Sequence, residues 1–254
     1  MDTLDIQKDN FRKERTDLSV LFEKVKKFKE YKAEKAVPDN FKEAANLKER
    51  LAAASDTVRS FNDREQIFGL TKSEYEDIDL IIKEFEPFYK LWECAQEFAI
   101  DKSDWNNKPF VELKYEDINK KTENYNKEAI KLQKTFQENK EEDAFNVTKL
   151  FQEDNQAFRE NIWLIELLTT EAMIKKPGTW KEIFLKCNVQ ASVETDDITL
   201  FKVINDYHLL ECQDTIREIS DKVGQQWKIE KKLNEIKELL KLQKLDVFYI
   251  NFLN

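Results

Sequence analysis

The chain's 254 residues contain a single histidine, His208. Ser-His-Asp and Cys-His catalysis both need an imidazole in the company of partners that no spacing here supplies, and a two-histidine metal site cannot be built. A lone histidine in a helical pattern is expected to be a satisfied structural residue. The three cysteines, Cys94, Cys187 and Cys212, are odd in number and far apart, without zinc-ligand or thioredoxin spacing. They read as idle thiols of a reducing compartment. Carboxylates are plentiful, as in Glu141-Glu142-Asp143 and Glu194-Thr195-Asp196-Asp197. General acid–base work needs two carboxyls held in one cleft with separated pKa values. Charge runs of this kind are instead solvated faces or helix caps, the Asp196-Asp197 pair before a helix above all. No Gly-x-x-x-x-Gly-Lys-Ser/Thr loop and no calcium loop of the EF-hand type occurs. Catalytic residues, cofactors and metals are therefore all expected to be none, and the chain is read as a non-enzyme.

The elements that would position any site follow from composition. Three glycines and four prolines make under 3 % of the chain, against roughly 12 % in an average protein. Tight turns and phosphate-cradling loops draw on those residues, so Rossmann, P-loop and β-sandwich folds are excluded. Lys, Glu, Leu and Gln lose little side-chain freedom in a helix, and the expected class is all-α, an elongated stack of antiparallel helical bundles with heptad-like seams.

Along the chain, Leu18, Leu21, Phe22, Val25, Phe28 and Tyr31 recur at helical intervals and predict a helix through residues 1–35. Pro38 starts a second helix, with Asp39 or Asn40 as cap. Its seam is Ala44, Leu47, Leu51, Ala54, Val58 and Phe61; Glu65 breaks the series, Phe68 resumes it, and Gly69 stops it. Thr71 or Ser73 opens a third helix with the seam Ile78, Ile81, Phe85, Phe88, Trp92, Ala95 and Ala99, which Pro87 kinks or splits. Residues 101–113 read as a loop packing Trp105 and Phe110 inward. A polar helix spans 117–140 with Ile118, Tyr125, Ile130, Leu132 and Phe136 as its anchors. Another runs over 142–169 with Val147, Phe151, Phe158, Ile162, Ile165 and Leu168 on one side. Lys176-Pro177-Gly178-Thr179 is the clearest break, followed by a short helix with Trp180, Ile183 and Phe184, a loop over 188–197, a brief helix from Thr199 to Tyr207 and a long one over 211–240. The chain thus divides into a charged N-terminal helix (1–36), a helical hairpin (37–100), a bundle (101–187), a short helix plus a long one (188–240) and an atypical end (241–254). The five tryptophans, Trp92, Trp105, Trp163, Trp180 and Trp227, are expected in core packing at helix junctions, where Trp also anchors interfaces.

A net charge of −9 from 42 basic and 51 acidic residues, mixed along the chain, argues against nucleic acid, since phosphate contact needs basic excess. The start lacks the basic-then-apolar order of a signal peptide, and no run reaches ~18 apolar residues. No membrane partner is expected, and the chain is read as intracellular and soluble.

Several of these segments together resemble dynein heavy chains. Phe61-Asn62-Asp63-Arg64-Glu65-Gln66-Ile67-Phe68-Gly69-Leu70, then Thr71-Lys72-Ser73-Glu74-Tyr75, is similar to a junction of that family. Ile82-x-x-Phe85-x-Pro87-x-Tyr89-x-Leu91-Trp92 resembles its Leu-x-Pro-x-x-x-Leu-Trp element, and Trp105 with Pro109-Phe110 its Trp-x-x-x-Pro-Phe. Leu164-Ile165-x-x-Leu168 with Met173 to Trp180, Ile198-Thr199-Leu200, and Ile229-Glu230-Lys231-x-Leu233-x-x-Ile236 resemble later ones. No single element is specific; their order and spacing over residues 40–240 are.

The resemblance implies the second N-terminal region of the tail, a helical stack between stem and linker, closer to axonemal than to cytoplasmic heavy chains. It marks Asn62, Glu65, Phe68, Pro87, Leu91, Trp92, Trp105, Pro109, Phe110, Trp180, Leu200 and Glu230 as structural motif residues. It also implies force transmission and assembly in microtubule-based movement. The partners would be other heavy, intermediate or light chains, the microtubule would be met only indirectly, and the location would be the cytoplasm and cytoskeleton, in a ciliary axoneme. Departures are Lys176-Pro177-Gly178-Thr179 before Trp180, Gly224-Gln225-Gln226, and residues 241–254, which leave the family pattern. The chain is then part of a heavy chain or a short tail-only relative. The alternative is a stand-alone intracellular helical scaffold or coiled-coil interaction protein unrelated to dynein.

Overall fold

A computed structural model describes residues 2–33, 35–190 and 198–242. Among them the fold is all-α: α1 (Asp2–Lys26), α2 (Ala36–Ile67), α3 (Glu76–Asn107), α4 (Tyr115–Glu138), α5 (Glu142–Arg159), α6 (Ile162–Leu168), α7 (Glu171–Lys175), α8 (Thr179–Lys186) and α9 (Gln213–Leu242). Short 3-10 turns at Phe110–Glu112 and Leu209–Cys212 and a π-helical turn at Lys202–Asp206 join them. The described residues form two compact units, one within 1–104 and 116–160, the other within 105–115 and 161–254. Residues 101–187 thus contribute to both.

In the first unit α1 lies along α2, and Phe22 packs edge-on against Phe85 and Phe88 of α3. α1 stops at Lys26, short of the predicted end, and Phe28 caps the core from outside the helix by meeting Trp92 edge-on. α2 begins at Ala36, two residues before Pro38. A proline is tolerated there because the first turn's N–H groups have no partner within the helix. Asp39 therefore sits in the first turn rather than at the cap, and Asn40 donates to the Glu30 carbonyl at 3.1 Å.

The α2 seam buries Ala44, Leu47, Leu51, Ala54 and Phe61, with Val58 half-buried. Glu65 continues it, buried, and Phe68 does not, being 69 % exposed. The helix ends first: the Leu70 amide donates to the Glu65 carbonyl and the Gly69 amide to Gln66, with Gly69 at φ 65°. This double closure swings Phe68 out of register. The same pairing of bonds ends α4 with Lys140 at φ 59° and α8 with Asn188 at φ 55°, so helices in a glycine-poor chain are stopped by other residues too.

α3 opens at Glu76, later than Thr71 or Ser73, with Glu76, Asp77 and Asp79 in its first turn. It runs through Pro87 as one helix of 32 residues. An interior proline costs about 3 kcal/mol, whereas burying one large apolar side chain contributes about 1.5–3 kcal/mol. Phe85, Phe88, Leu91 and Trp92 flank it, all buried. Towards its end the seam holds Phe98 and not Ala99. Phe98 packs against Tyr125 of α4 and Phe151 and Phe158 of α5. Ile118, Leu132 and Phe136 of α4 are buried as predicted, while Ile130 faces solvent and Ala129 takes the inner position. Buried Asn155 donates to the Thr122 carbonyl at 2.9 Å, setting α5 against α4.

The predicted helix over 142–169 breaks at Glu160–Asn161. Phe151 and Phe158 pack in the first unit, whereas Leu164, Ile165 and Leu168 belong to the second, so one stripe serves two cores. In the second unit α6, α7 and α8 pack on the first half of α9, which buries Ile216, Ile219 and Val223. Gly178, at φ 83°, turns the chain into α8. Asp196-Asp197 and most of 241–254 lie outside the described residues.

Candidate functional site

The chemistry-bearing residues are scattered. His208 is exposed at φ 49°, on the left-handed step before a 3-10 turn, and is not a buried structural residue. Glu141 and Asp143 face Lys26 and Lys29 at 3.6 and 3.1 Å, surface pairs worth little. Cys94 is buried, and that burial pushes its thiol up to about 11. Cys187 and Cys212, 25 positions apart, are brought within hydrogen-bond reach; burial and that contact push Cys187 up to about 12. Sequence spacing carried no sign of this pair, because it is the end of α8 and the 3-10 turn before α9 that carry the two residues. Among the described residues no group of His, Cys, Asp or Glu is placed to hold a metal ion, and no helix is long and apolar enough to cross a membrane.

Structure is concentrated at three nodes instead. At the first, Glu65 of α2 is 1 % exposed. It accepts from Lys8 of α1, and from the Ser73 amide and hydroxyl at 2.6 Å each. Burial alone pushes this carboxyl up, but the donors from Lys8 and Ser73 outweigh it and bring the pKa down to about 2. Phe11, Phe61 and Tyr75 form an aromatic triangle beside it, and Arg15 donates to Asp77 at 2.7 Å. Neighbouring Asn62 is half-buried, with its Oδ1 unpartnered.

The second node is the α3 core. Leu91 and Trp92 are fully buried, and Pro87 is half-buried among them. Nearby, Tyr125 donates to Asp101 at 2.8 Å; burial and that carboxylate hold the phenol well above its usual range.

The third node is in the second unit. The Phe110 amide donates to the Ile198 carbonyl at 2.6 Å, beside an isolated bridge between Pro109 and Thr199. Phe110, Trp180, Phe184 and Tyr207 stack in sequence, edge-on or tilted. Trp105 and Leu200 are buried in the same unit. Residues 101–107, read as loop, are the last turns of α3, and Trp105 enters the core from a helix. Trp163 and Trp227 are half-buried.

Among the described residues one long apolar surface is exposed. Beyond Trp227, α9 exposes Ile229, Leu233, Ile236, Leu239 and Leu240 at 51–63 %. The steps 229, 233, 236, 240 are those of a heptad seam. Glu230, on another face, meets Lys176 at 3.1 Å. The chain therefore offers no assembled reaction centre among its described residues, and offers a bare apolar ridge on a helix anchored at its other end.

Comparison with known proteins places this architecture. The family model described as dynein heavy chain, N-terminal region 2, matches residues 78–251, more than half of the chain. It covers α3 from Ile78 through α9, with Asn62, Glu65 and Phe68 before it, and it runs into the 241–254 stretch read as leaving the family pattern. Dynein axonemal heavy chain 1 of Mus musculus is 30 % identical over 78 residues, 31 % of this chain and 2 % of that protein. The Homo sapiens protein of the same name is 27 % identical over 96 residues, 38 % of this chain and 2 % of that protein. The matched stretch thus spans about a fiftieth of these relatives' length.

Proposed function

Since the chain belongs to the dynein heavy chain N-terminal region 2 family, we propose that it is a non-catalytic helical tail segment that transmits force and mediates assembly in ciliary, microtubule-based movement. Packed helical cores resist deformation, which suits them to carrying load. The proposed partners are other dynein heavy, intermediate or light chains, with the microtubule met through them, in the cytoskeleton of the axoneme. ATP hydrolysis is assigned to other parts of a dynein. The motif residues other than Phe68 are proposed to act by holding this scaffold, Glu230 through its pair with Lys176 and the rest through packing or the Glu65 node, whereas Phe68 faces solvent.

The observation that carries the assembly role is the α9 ridge. Apolar heptad positions left bare on a family segment are a surface built for a neighbouring helix. The test is co-isolation from ciliary extract with tagged chain. Dynein heavy or intermediate chains are expected with the native sequence and are lost with the double substitution Leu233→Glu, Ile236→Glu. Absence of dynein subunits from the native pull-down, or equal recovery with the variant, would overturn the proposal.

A further inference from the structure

The Glu65 node holds a serine whose surroundings suit covalent control. Ser73 lies in the run 71–75, outside the helices, between the end of α2 and the start of α3. Its neighbours Thr71, Lys72 and Glu74 are exposed. Glu74, Glu76, Asp77 and Asp79 follow it at +1, +3, +4 and +6. Three of these acids complement the α3 dipole, and the whole run also presents the charge that a basic kinase groove reads, on a segment already free of helical hydrogen bonds.

The Ser73 hydroxyl donates to Glu65 Oε1 at 2.6 Å and accepts from Lys8 Nζ at 3.2 Å. One side chain thereby joins α1, α2 and the segment leading to α3. We propose that Ser73 is a phosphorylation site for an acidophilic serine kinase, and that its phosphate releases α1 from α2 and α3. In the transfer, Ser73 Oγ bonds to the γ-phosphorus of ATP, the bond to the ADP oxygen breaks, and the hydroxyl proton leaves to the kinase's base. The ester oxygen has no hydrogen to donate to Glu65, and it carries a charge of about −1.5 to −2. That charge sits next to a carboxylate removed from water, where like-charge repulsion is weakly screened. Lys8, engaged by Glu65, is drawn towards the phosphate, and the segment must swing out to relieve the contact. The grip of α1 then falls to its packing, to the Arg15–Asp77 and Lys24–Glu43 pairs and to the Arg64–Gln7 bond.

The full chain is incubated with the catalytic subunit of casein kinase 2 and Mg-ATP, mapped by mass spectrometry, and compared by amide hydrogen exchange with its unmodified form. Phosphate on Ser73 is expected, with α1 amides exchanging roughly tenfold faster and α4–α5 unchanged. The Ser73→Ala chain keeps the Lys8–Glu65 pair, and is expected to take no phosphate in residues 71–75 and to keep α1 protected. Phosphate on Thr71 instead, none on either residue, or phospho-Ser73 with α1 exchange unchanged or slowed would each overturn the proposal.

Discussion

The α2 stripe and the α9 ridge are written in the same alphabet and end differently. Each repeats apolar residues at steps of three and four on a helix of about thirty residues, Ala44, Leu47, Leu51 and Ala54 in one, Ile229, Leu233, Ile236 and Leu240 in the other. The first four are at most 2 % exposed, the second four at least 51 %. What differs is company. α1 lies along α2, whereas α9 beyond Trp227 leaves that face exposed among the described residues. A seam in a sequence therefore states that a face is to be covered; it does not state by what. In the covered seam the stripe supports the fold. In the bare one it is free to serve assembly.

The largest effect that would break this contrast lies in the covered seam. Leu47→Ala removes a side chain that is 1 % exposed, and large-to-small changes at such sites cost about 2–5 kcal/mol. Urea unfolding should show a loss of about 3 kcal/mol with the slope retained. A loss under 1 kcal/mol would mean that α1 does not hold its place against α2 in solution.

Glu65→Gln comes next. It keeps the shape of the node and removes the charge that Lys8 and Ser73 satisfy, and hydrogen bonds to charged groups contribute about 1.5–3 kcal/mol. The native carboxyl titrates at about 2, against an ordinary value of 4.5. Because folding lowers this pKa, the stabilisation is complete above 4.5 and drains as pH falls towards 2. The gap in stability between native chain and variant should therefore be widest near neutral pH, about 2 kcal/mol, and close through that window. Denaturation curves at pH 7, 4 and 2.5 check it. A gap independent of pH would place the loss in packing rather than in charge.

This node also marks where sequence and fold part. Counting apolar residues makes Glu65 a break, since periodicity cannot see that Lys8, 57 positions away, and Ser73 will supply donors to a buried carboxylate. Phe68 continues the count and still faces solvent, because α2 ends one residue earlier. From Ala95, steps of three and four reach Phe98 and Ala99 alike, and the larger side chain takes the core. The all-α class, the seams and the Gly69 and Gly178 turns were legible because they are local. The ends of α4 and α8 were legible too, near 140 and 188, but not that the non-glycine residues Lys140 and Asn188 take the left-handed step there, nor the meeting of Cys187 with Cys212, which depends on what the chain meets elsewhere. Pro87 shows the same ordering from the other side: a strong local signal for a break yields to four large side chains buried around it.

The smallest expected effect is the most telling. Leu233→Ala mirrors Leu47→Ala in chemistry, but Leu233 is 51 % exposed and its helix is anchored by residues before Trp227. Exposed changes of this kind stay within about 0.5 kcal/mol, and alanine's higher helix propensity offsets part of the lost contact. Stability should hardly move, while recovery of dynein subunits from ciliary extract should fall. A loss comparable to that of Leu47→Ala would mean that the ridge is covered in solution. Its dependence on protein concentration would then name the cover: a loss that grows with concentration points to a second copy, and a constant one to the chain itself. Either result would erase the difference between the two seams and remove the support that the bare ridge gives to an assembly role.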